Sequence, residues 1–388
     1  MKQSKLILPI IVISQFCCTS LWFAGNGVMG DLITNFNLNA SALGHLTSAV
    51  QFGFILGTLL FAALTIADRF SPSKVFFSCA LLGALFNAGV IFNQNNLTSI
   101  LLLRFITGFF LAGIYPVGMK IAADYFEKGL GKSLGFLVGA LVLGTAFPHL
   151  AKDISGAFSW KFVLILTSLF STIGGVLMLT IVPDGPHQTR KNKLDVSTFI
   201  TVFKNRKFRS AAFGYFGHMW ELYAFWAFVP VILKTYIIEH PSTVFNIPVL
   251  TFLIIGIGGV SCVISGYIAP WGGTKKTARW ALALSCICCL ISPIIFTIKL
   301  QSVFVAFLIF WGMVVIADSP LFSTLVAQNT SSKTKGTALT IVNCIGFSIT
   351  IISIEIINVL YNSIDPTHIY IILAVGPILG LIALYEKK

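Results

Sequence analysis

The chain is poor in charge, and acid is scarcest. Only 10% of its 388 residues are Asp, Glu, Lys or Arg, against about 25% in soluble domains, and 13 are acidic. It holds no G-x-x-x-x-G-K-[ST] stretch to cradle a nucleotide triphosphate and no polar segment large enough for an ATPase domain, which argues against a primary pump. The six histidines, His45, His149, His187, His218, His240 and His368, are scattered over separate segments, so they form no catalytic or metal-ligating group at one membrane face. The eight cysteines make no CxxC…CxxC pattern. Cys286, Cys288 and Cys289 cluster, but helical spacing spreads them around the axis, and they read as small core residues rather than disulfides or metal ligands. No cofactor or metal is expected, and a non-transport receptor or an enzyme is a remote alternative.

Apolar residues are abundant. They make up 56% of the chain, and the mean hydropathy is +0.90. Twelve runs come close to the ~20 apolar residues that cross a bilayer: 7–30, 43–66, 75–93, 98–123, 133–151, 161–182, 211–235, 247–269, 279–298, 303–327, 337–360 and 369–385. Lys2 and Lys5 before the first run resemble a signal peptide. That run continues past a typical signal core without a convincing small-residue cleavage site, so it is read as a retained span. The connections are short except 183–210, a basic linker that divides the chain into an N-terminal half, 1–182, and a C-terminal half, 211–388, of six spans each.

Charge placement gives the orientation. Of the 26 Lys and Arg, Lys152, Lys161, Lys234 and Lys299 fall on one side, Arg104 and Lys120 lie within the fourth span, and the rest gather on the side of both termini. By the positive-inside rule both termini are cytoplasmic. The formal charge of +13 then reports topology, with anionic lipid headgroups as counter-charge and no need for nucleic acid.

Matching loops after the second and eighth spans reveal an internal repeat. The first reads Leu64-Thr-Ile-Ala-Asp68-Arg69-Phe-Ser-Pro-Ser-Lys74, the second Gly266-Tyr-Ile-Ala-Pro270-Trp-Gly-Gly273-Thr-Lys275-Lys276. Each is a degenerate copy of G-x-x-x-D-R-x-G-R-K: the first keeps Asp68, Arg69 and Lys74, and the second keeps Gly266, Gly273 and basic residues. Arg104-Phe-Ile-Thr-Gly108 in the fourth span is similar to an R-x-x-x-G element. In these features the chain resembles the major facilitator superfamily. Gly214–Pro230 and Trp311–Gln328 further resemble a loose subgroup of cyanate- and nitrate-type carriers. The second and eighth spans lack the arginines with which nitrate carriers hold their anion, which argues against nitrate. The resemblance implies an all-α membrane protein of twelve transmembrane helices, in two six-helix bundles related by a pseudo-two-fold axis. It also implies alternating access by rocking of the bundles, with the first, fourth, seventh and tenth spans lining a cavity.

Ionisable groups in hydrocarbon are costly and mark pathways. Glu221, about ten residues into the seventh span, and Asp318, about ten from the end of the tenth, each lie roughly 15 Å deep. Two carboxylates at one height are natural proton carriers, or caps of structural hydrogen-bond networks. His218, three residues before Glu221 and on the same helical face, either relays protons or packs. Arg104 either grips a substrate carboxylate bidentately or serves as a structural partner. Trp220, Tyr223, Trp22, Asn26 and Tyr115 are further candidate substrate contacts, and Tyr115-Pro116 suggests a kink. Gly214 and Gly217 let other backbone approach the seventh span. Asp68 and Arg69 read as a conformational latch, the carboxylate lying near a helix N-terminus of the opposite bundle. Lys120 and Asp124, four apart, read as a pair.

These features lead to a proton-coupled secondary transporter of a small organic solute, such as an organic anion, in the bacterial inner membrane, working as a monomer. The alternative within this class is a drug/proton antiporter that exports amphipathic compounds through the aromatic seventh span.

Overall fold

The computed structural model describes residues 6–126, 130–156, 158–186, 197–331, 334–361 and 363–385. The chain forms two compact units, Met1–Val196 and Ser197–Lys388, and the described residues are helical with short connections. Among the described residues ten helices are long and apolar enough to cross a membrane, and two shorter apolar ones, Ile7–Thr19 and Ile369–Leu384, stand where the first and twelfth spans are expected.

The described residues of the first unit form α1 (Ile7–Thr19), α2 (Ala24–Gly27), α3 (Met29–Phe36), α4 (Ala42–Ala63), α5 (Ile66–Arg69), α6 (Pro72–Ala88), a 3₁₀ turn (Gly89–Ile91), α7 (Leu97–Leu111), α8 (Tyr115–Tyr125), α9 (Leu130–Ser155) and α10 (Lys161–Ile181). The first span is therefore three pieces rather than one run over 7–30. Its far end is tied by Lys152 Nζ, 2.8 Å from Asp31 Oδ2, and by Phe36 packed edge-on against Trp160 at 5.9 Å. The fourth span is two pieces, α7 and α8, separated at Ala112–Ile114. Pro116 there can donate no N–H to the preceding turn, so the expected kink is a break.

The second unit contains α11 (Ser197–Lys204), α12 (Arg206–Glu239), α13 (Ile247–Gly272), α14 (Thr274–Phe296), α15 (Gln301–Ala317), α16 (Ser319–Gln328), α17 (Lys335–Tyr361), a 3₁₀ stretch (Ile369–Ala374) and α18 (Val375–Leu384). The seventh span starts earlier than 211. Asn205 caps it, its side chain accepting from Lys207 N at 2.9 Å. Of the linker expected at 183–210, residues 197–204 are thus helical and pack on α12 and α17, while 187–196 lie outside the described residues.

Small residues set the closest helix pairs. α4 runs along α7, where a methyl on Gly53 or Gly57 would overlap the carbonyls of Phe105 or Phe109, and one on Gly108 that of Val50. α13 runs along α15 with Gly312 against the Ile254 carbonyl. Lipid offers no hydrophobic drive between helices, so close backbone approach through small residues supplies the association. Gly217 admits other backbone to α12 as expected, that of Gly376 and Gly380, whereas Gly214 is met by the Phe322 ring.

Candidate functional site

The seventh span, α12, carries His218, Glu221 and Phe225 at spacings of three and four, which puts them on one stripe. All three are at most 1% exposed. That stripe faces the tenth span at its break. α15 ends at Ala317 and α16 begins at Ser319, with Asp318 between them. The cause is Pro320, second residue of α16, which can give no N–H to the Ile316 carbonyl. Cys262 Sγ instead donates to that carbonyl at 3.5 Å, and Asp318 O accepts from Leu321 N at 3.0 Å and Phe322 N at 2.9 Å.

His218 Nδ1 lies 2.8 Å from Asp318 Oδ1. The sequence placed His218 beside Glu221, but its carboxylate partner is Asp318. The ring is bracketed by Tyr215 at 5.9 Å and Phe322 at 6.2 Å. His218 Nε2 and Asp318 Oδ2 are buried and have no hydrogen-bond partner among the described residues. One turn along, Glu221 Oε1 accepts three bonds: from Ser285 Oγ, from Cys289 Sγ at 3.2 Å and from Trp311 Nε1 at 2.6 Å. Trp311 stacks on Phe225 with centroids 4.4 Å apart. An acid, a base and a second carboxylate thus meet within spans seven, nine and ten. The chemistry they can perform is proton transfer between neighbours and hydrogen bonding to a polar guest. Ser285, Cys289 and Trp311 were not singled out from the sequence. Cys289 stands in the cluster read as apolar core, and although all eight cysteines are indeed free and buried, this one also acts as a donor.

The aromatic candidates divide. Trp220 Nε1 donates to Ile372 O at 3.0 Å, so its polar tip fastens the seventh span to the twelfth. Tyr223 packs against Trp226 and Phe347, both at 5.3 Å.

In the first unit Arg104 is 1% exposed. Its Nη1 donates to Asn87 Oδ1 at 2.8 Å, and its Nη2 donates to Leu21 O at 2.9 Å and Trp22 O at 2.6 Å. Asn87 Nδ2 in turn donates to Ser168 Oγ at 2.9 Å and Leu164 O at 3.1 Å. The guanidinium thereby holds the carbonyls exposed where the first span is broken, between Thr19 and Ala24. Trp22 is fully buried against Phe54 at 4.9 Å, and Asn26 Nδ2 donates to Thr47 Oγ1 at 2.8 Å. Tyr115 is half-buried at the start of α8. Asp68 Oδ1 meets Lys120 Nζ at 3.3 Å within the first unit, and the same ammonium meets Asp124 Oδ2 at 3.0 Å, the pair expected from their spacing. Arg69 is exposed.

Helices of this length and apolarity, with ionisable groups buried along them, define an integral membrane protein. The chain belongs to the Major Facilitator Superfamily, whose family model matches residues 11–354, and it carries that family's all-helical twelve-span fold. Among its relatives, the niacin transporter of Acinetobacter baylyi is 27% identical over 47% of this chain and 44% of its own length. The probable L-galactonate transporter of Escherichia coli is 24% identical over 60% of this chain and 54% of its own. The efflux pump FUBT of Fusarium oxysporum is 25% identical over 50% and 35%. The chain thus spans about half the length, or less, of these curated relatives.

Proposed function

We propose that the protein is a secondary active transporter that moves a small organic solute by alternating access, coupled to protons through the His218–Asp318 pair. The observation that carries this reading is an acid and a base 2.8 Å apart, both 1% exposed, at a proline break in a membrane span. Intramembrane ionisable groups are functional by default, and interrupted spans mark transporter binding sites. The exchangeable proton resides on this pair. Glu221, one turn along, is the second protonatable group. Ionised, it holds Ser285, Cys289 and Trp311, and protonated it accepts their bonds more weakly, so proton binding loosens the seventh, ninth and tenth spans from one another. Tyr223 forms part of the aromatic wall beside the solute. Arg104 acts as a clamp on the first span, because its Nη groups are used on protein oxygens, and Asp68 with Lys120 and Asp124 forms a latch at one end of the first unit.

The similarity to carriers of niacin and galactonate supports small organic acids as cargo. A second reading, export of amphipathic compounds by proton exchange, draws on the aromatic surround of Tyr223, Trp226 and Phe347 and on the similarity to an efflux pump. The basic connections support cytoplasmic termini in a bacterial inner membrane, and the protein is taken to work as a monomer.

The deciding test is reconstitution into liposomes with radiolabelled nicotinate and galactonate, under an imposed pH gradient with pyranine reporting lumenal protons. Uptake that accompanies proton entry, and is lost in Asp318→Asn, supports import. Gradient-driven extrusion of lipophilic cations supports export. Solute movement indifferent to the gradient overturns proton coupling.

A further inference from the structure

Three helices of the first unit border the break in the first span and carry buried polar side chains there. α7 supplies Arg104, already engaged with the carbonyls of Leu21 and Trp22. α4 supplies Gln51. One turn before it, Thr47 accepts from Asn26 at 2.8 Å; one turn after it, Phe54 packs on Trp22 at 4.9 Å. Gln51 therefore stands on the α4 face that meets residues 22–26. α9 supplies Thr145 and His149, each one residue past a close backbone approach: Gly144 against Phe16 and Thr19, and Pro148 against Gly27.

Gln51 and Thr145 are 0% exposed and His149 3%. Gln51 Nε2 and Oε1, Thr145 Oγ1 and His149 Nε2 have no hydrogen-bond partner among the described residues. Gln15 is in the same condition at both amide atoms, one turn before Thr19 and against Gly118 of α8. Buried polar side-chain atoms almost always find partners, and in hydrocarbon an unpaired one is especially costly. Several on helices that border one chain break favour a guest over a role in the fold alone. Glutamine and threonine offer donor and acceptor side by side, and the cation present, Arg104, directs its Nη groups at carbonyl oxygens. Such a lining matches an uncharged hydrogen-bonding group better than a fixed ion.

We propose that Gln51, Thr145 and His149, with Gln15 at one edge, form a subsite for the uncharged polar part of the transported solute, a hydroxyl, carbonyl or amide, with Trp22 and Phe54 as its apolar wall. The inference rests on the transporter reading above. The test uses the full-length protein and two readouts. In liposomes, initial uptake of nicotinate, nicotinamide and galactonate is compared for wild type, Gln51→Met, Gln51→Asn and Thr145→Val. For a transported solute, Gln51→Met raises KM about tenfold or more, as loss of one buried hydrogen bond predicts, and Gln51→Asn recovers part of it. Unchanged KM in both Gln51→Met and Thr145→Val overturns the subsite while leaving the transporter reading intact. In detergent, Gln51→Met melts at or above the wild-type temperature, because an amide without a partner in the fold is replaced by an apolar chain. A lower melting temperature makes Gln51 a structural residue and overturns the proposal. If the wild type moves none of the three solutes, the small-solute reading fails by itself, and the subsite is judged by chemistry. A Gln51→Cys thiol modified by aminoethyl methanethiosulfonate in the intact protein, located by peptide mass spectrometry, supports a polar subsite; an unreactive thiol overturns it.

Discussion

Replacing Arg104 separates a clamp from a substrate ligand. Its guanidinium makes three bonds, to Asn87 Oδ1, Leu21 O and Trp22 O. Side-chain hydrogen bonds between membrane helices average about 0.6 kcal/mol and reach about 1.7, so three of them are worth about 2–5 kcal/mol. Arg104→Leu forfeits that sum and orphans two backbone carbonyls, but it also removes a buried cation, whose desolvation returns part of the loss. The net expectation is a destabilisation of about 2–3 kcal/mol with no solute present. Arg104→Lys is no milder, since a single ammonium cannot reproduce the planar fork. The measurement is unfolding of the purified protein in mixed micelles by titration with dodecyl sulfate, followed by far-ultraviolet circular dichroism. Asn87→Ala completes a double-mutant cycle, and because the two residues share one network their effects are non-additive by at least about 0.5 kcal/mol. An Arg104→Leu variant as stable as wild type, yet unable to bind solute, refutes the clamp and restores Arg104 as a substrate ligand.

Three further outcomes follow from the same geometry. Asp318→Asn removes the acid of the His218 pair while keeping its shape; pH-driven uptake falls at least tenfold and solute counterflow persists, as read by labelled exchange in liposomes. Glu221→Gln retains an Oε1 for Ser285, Cys289 and Trp311 and melts within a few degrees of wild type. Glu221→Ala leaves those donors unpaired and destabilises by about 2–4 kcal/mol, so equal melting of the two variants excludes the three-donor network. Gly108→Val drives side-chain atoms into the Val50 carbonyl, and the α4–α7 pair cannot close around them; expression of folded protein, judged by size-exclusion chromatography, is lost, whereas Gly30→Ala, with open space around its Cα, is tolerated.

Much of the fold was legible because a bilayer enforces it. Each run of about twenty apolar residues must satisfy its own backbone as a helix, so span positions followed from composition, and Pro116 marked a kink where the fourth span breaks. Partnerships were less legible. Ser285 and Cys289 sit among apolar residues of α14 with nothing local to mark them, and they reach Glu221 across 64 and 68 residues of sequence. Asn87 likewise has no motif, and its role appears only when Arg104 is found pointing at it. The spacing of His218 and Glu221 on one face was read correctly, but a shared face does not decide which of two carboxylates a ring meets. Asp318 wins because the break at Pro320 brings it to the ring.

The two units tie three spans together with different groups. In the first, a cation on the fourth span, Arg104, is bonded to the third span through Asn87 and to the first through Leu21 and Trp22. In the second, a carboxyl on the seventh span, Glu221, is bonded to the ninth through Ser285 and Cys289 and to the tenth through Trp311. These are the same three positions within each set of six spans. Gly108 and Pro116 in the fourth span recur at the same spacing as Gly312 and Pro320 in the tenth, so in each the helix closes on a neighbour through a glycine and then breaks before a proline. A break in a span needs a polar group to hold it, because freed carbonyls have no water to turn to in hydrocarbon. In the first unit the break so held is the first-span one, where Arg104, always charged, bonds the Leu21 and Trp22 carbonyls. The second unit places carboxyl groups at and beside its break, Asp318 and Glu221, which can gain or lose a proton, and the coupling proposed above is therefore sited there.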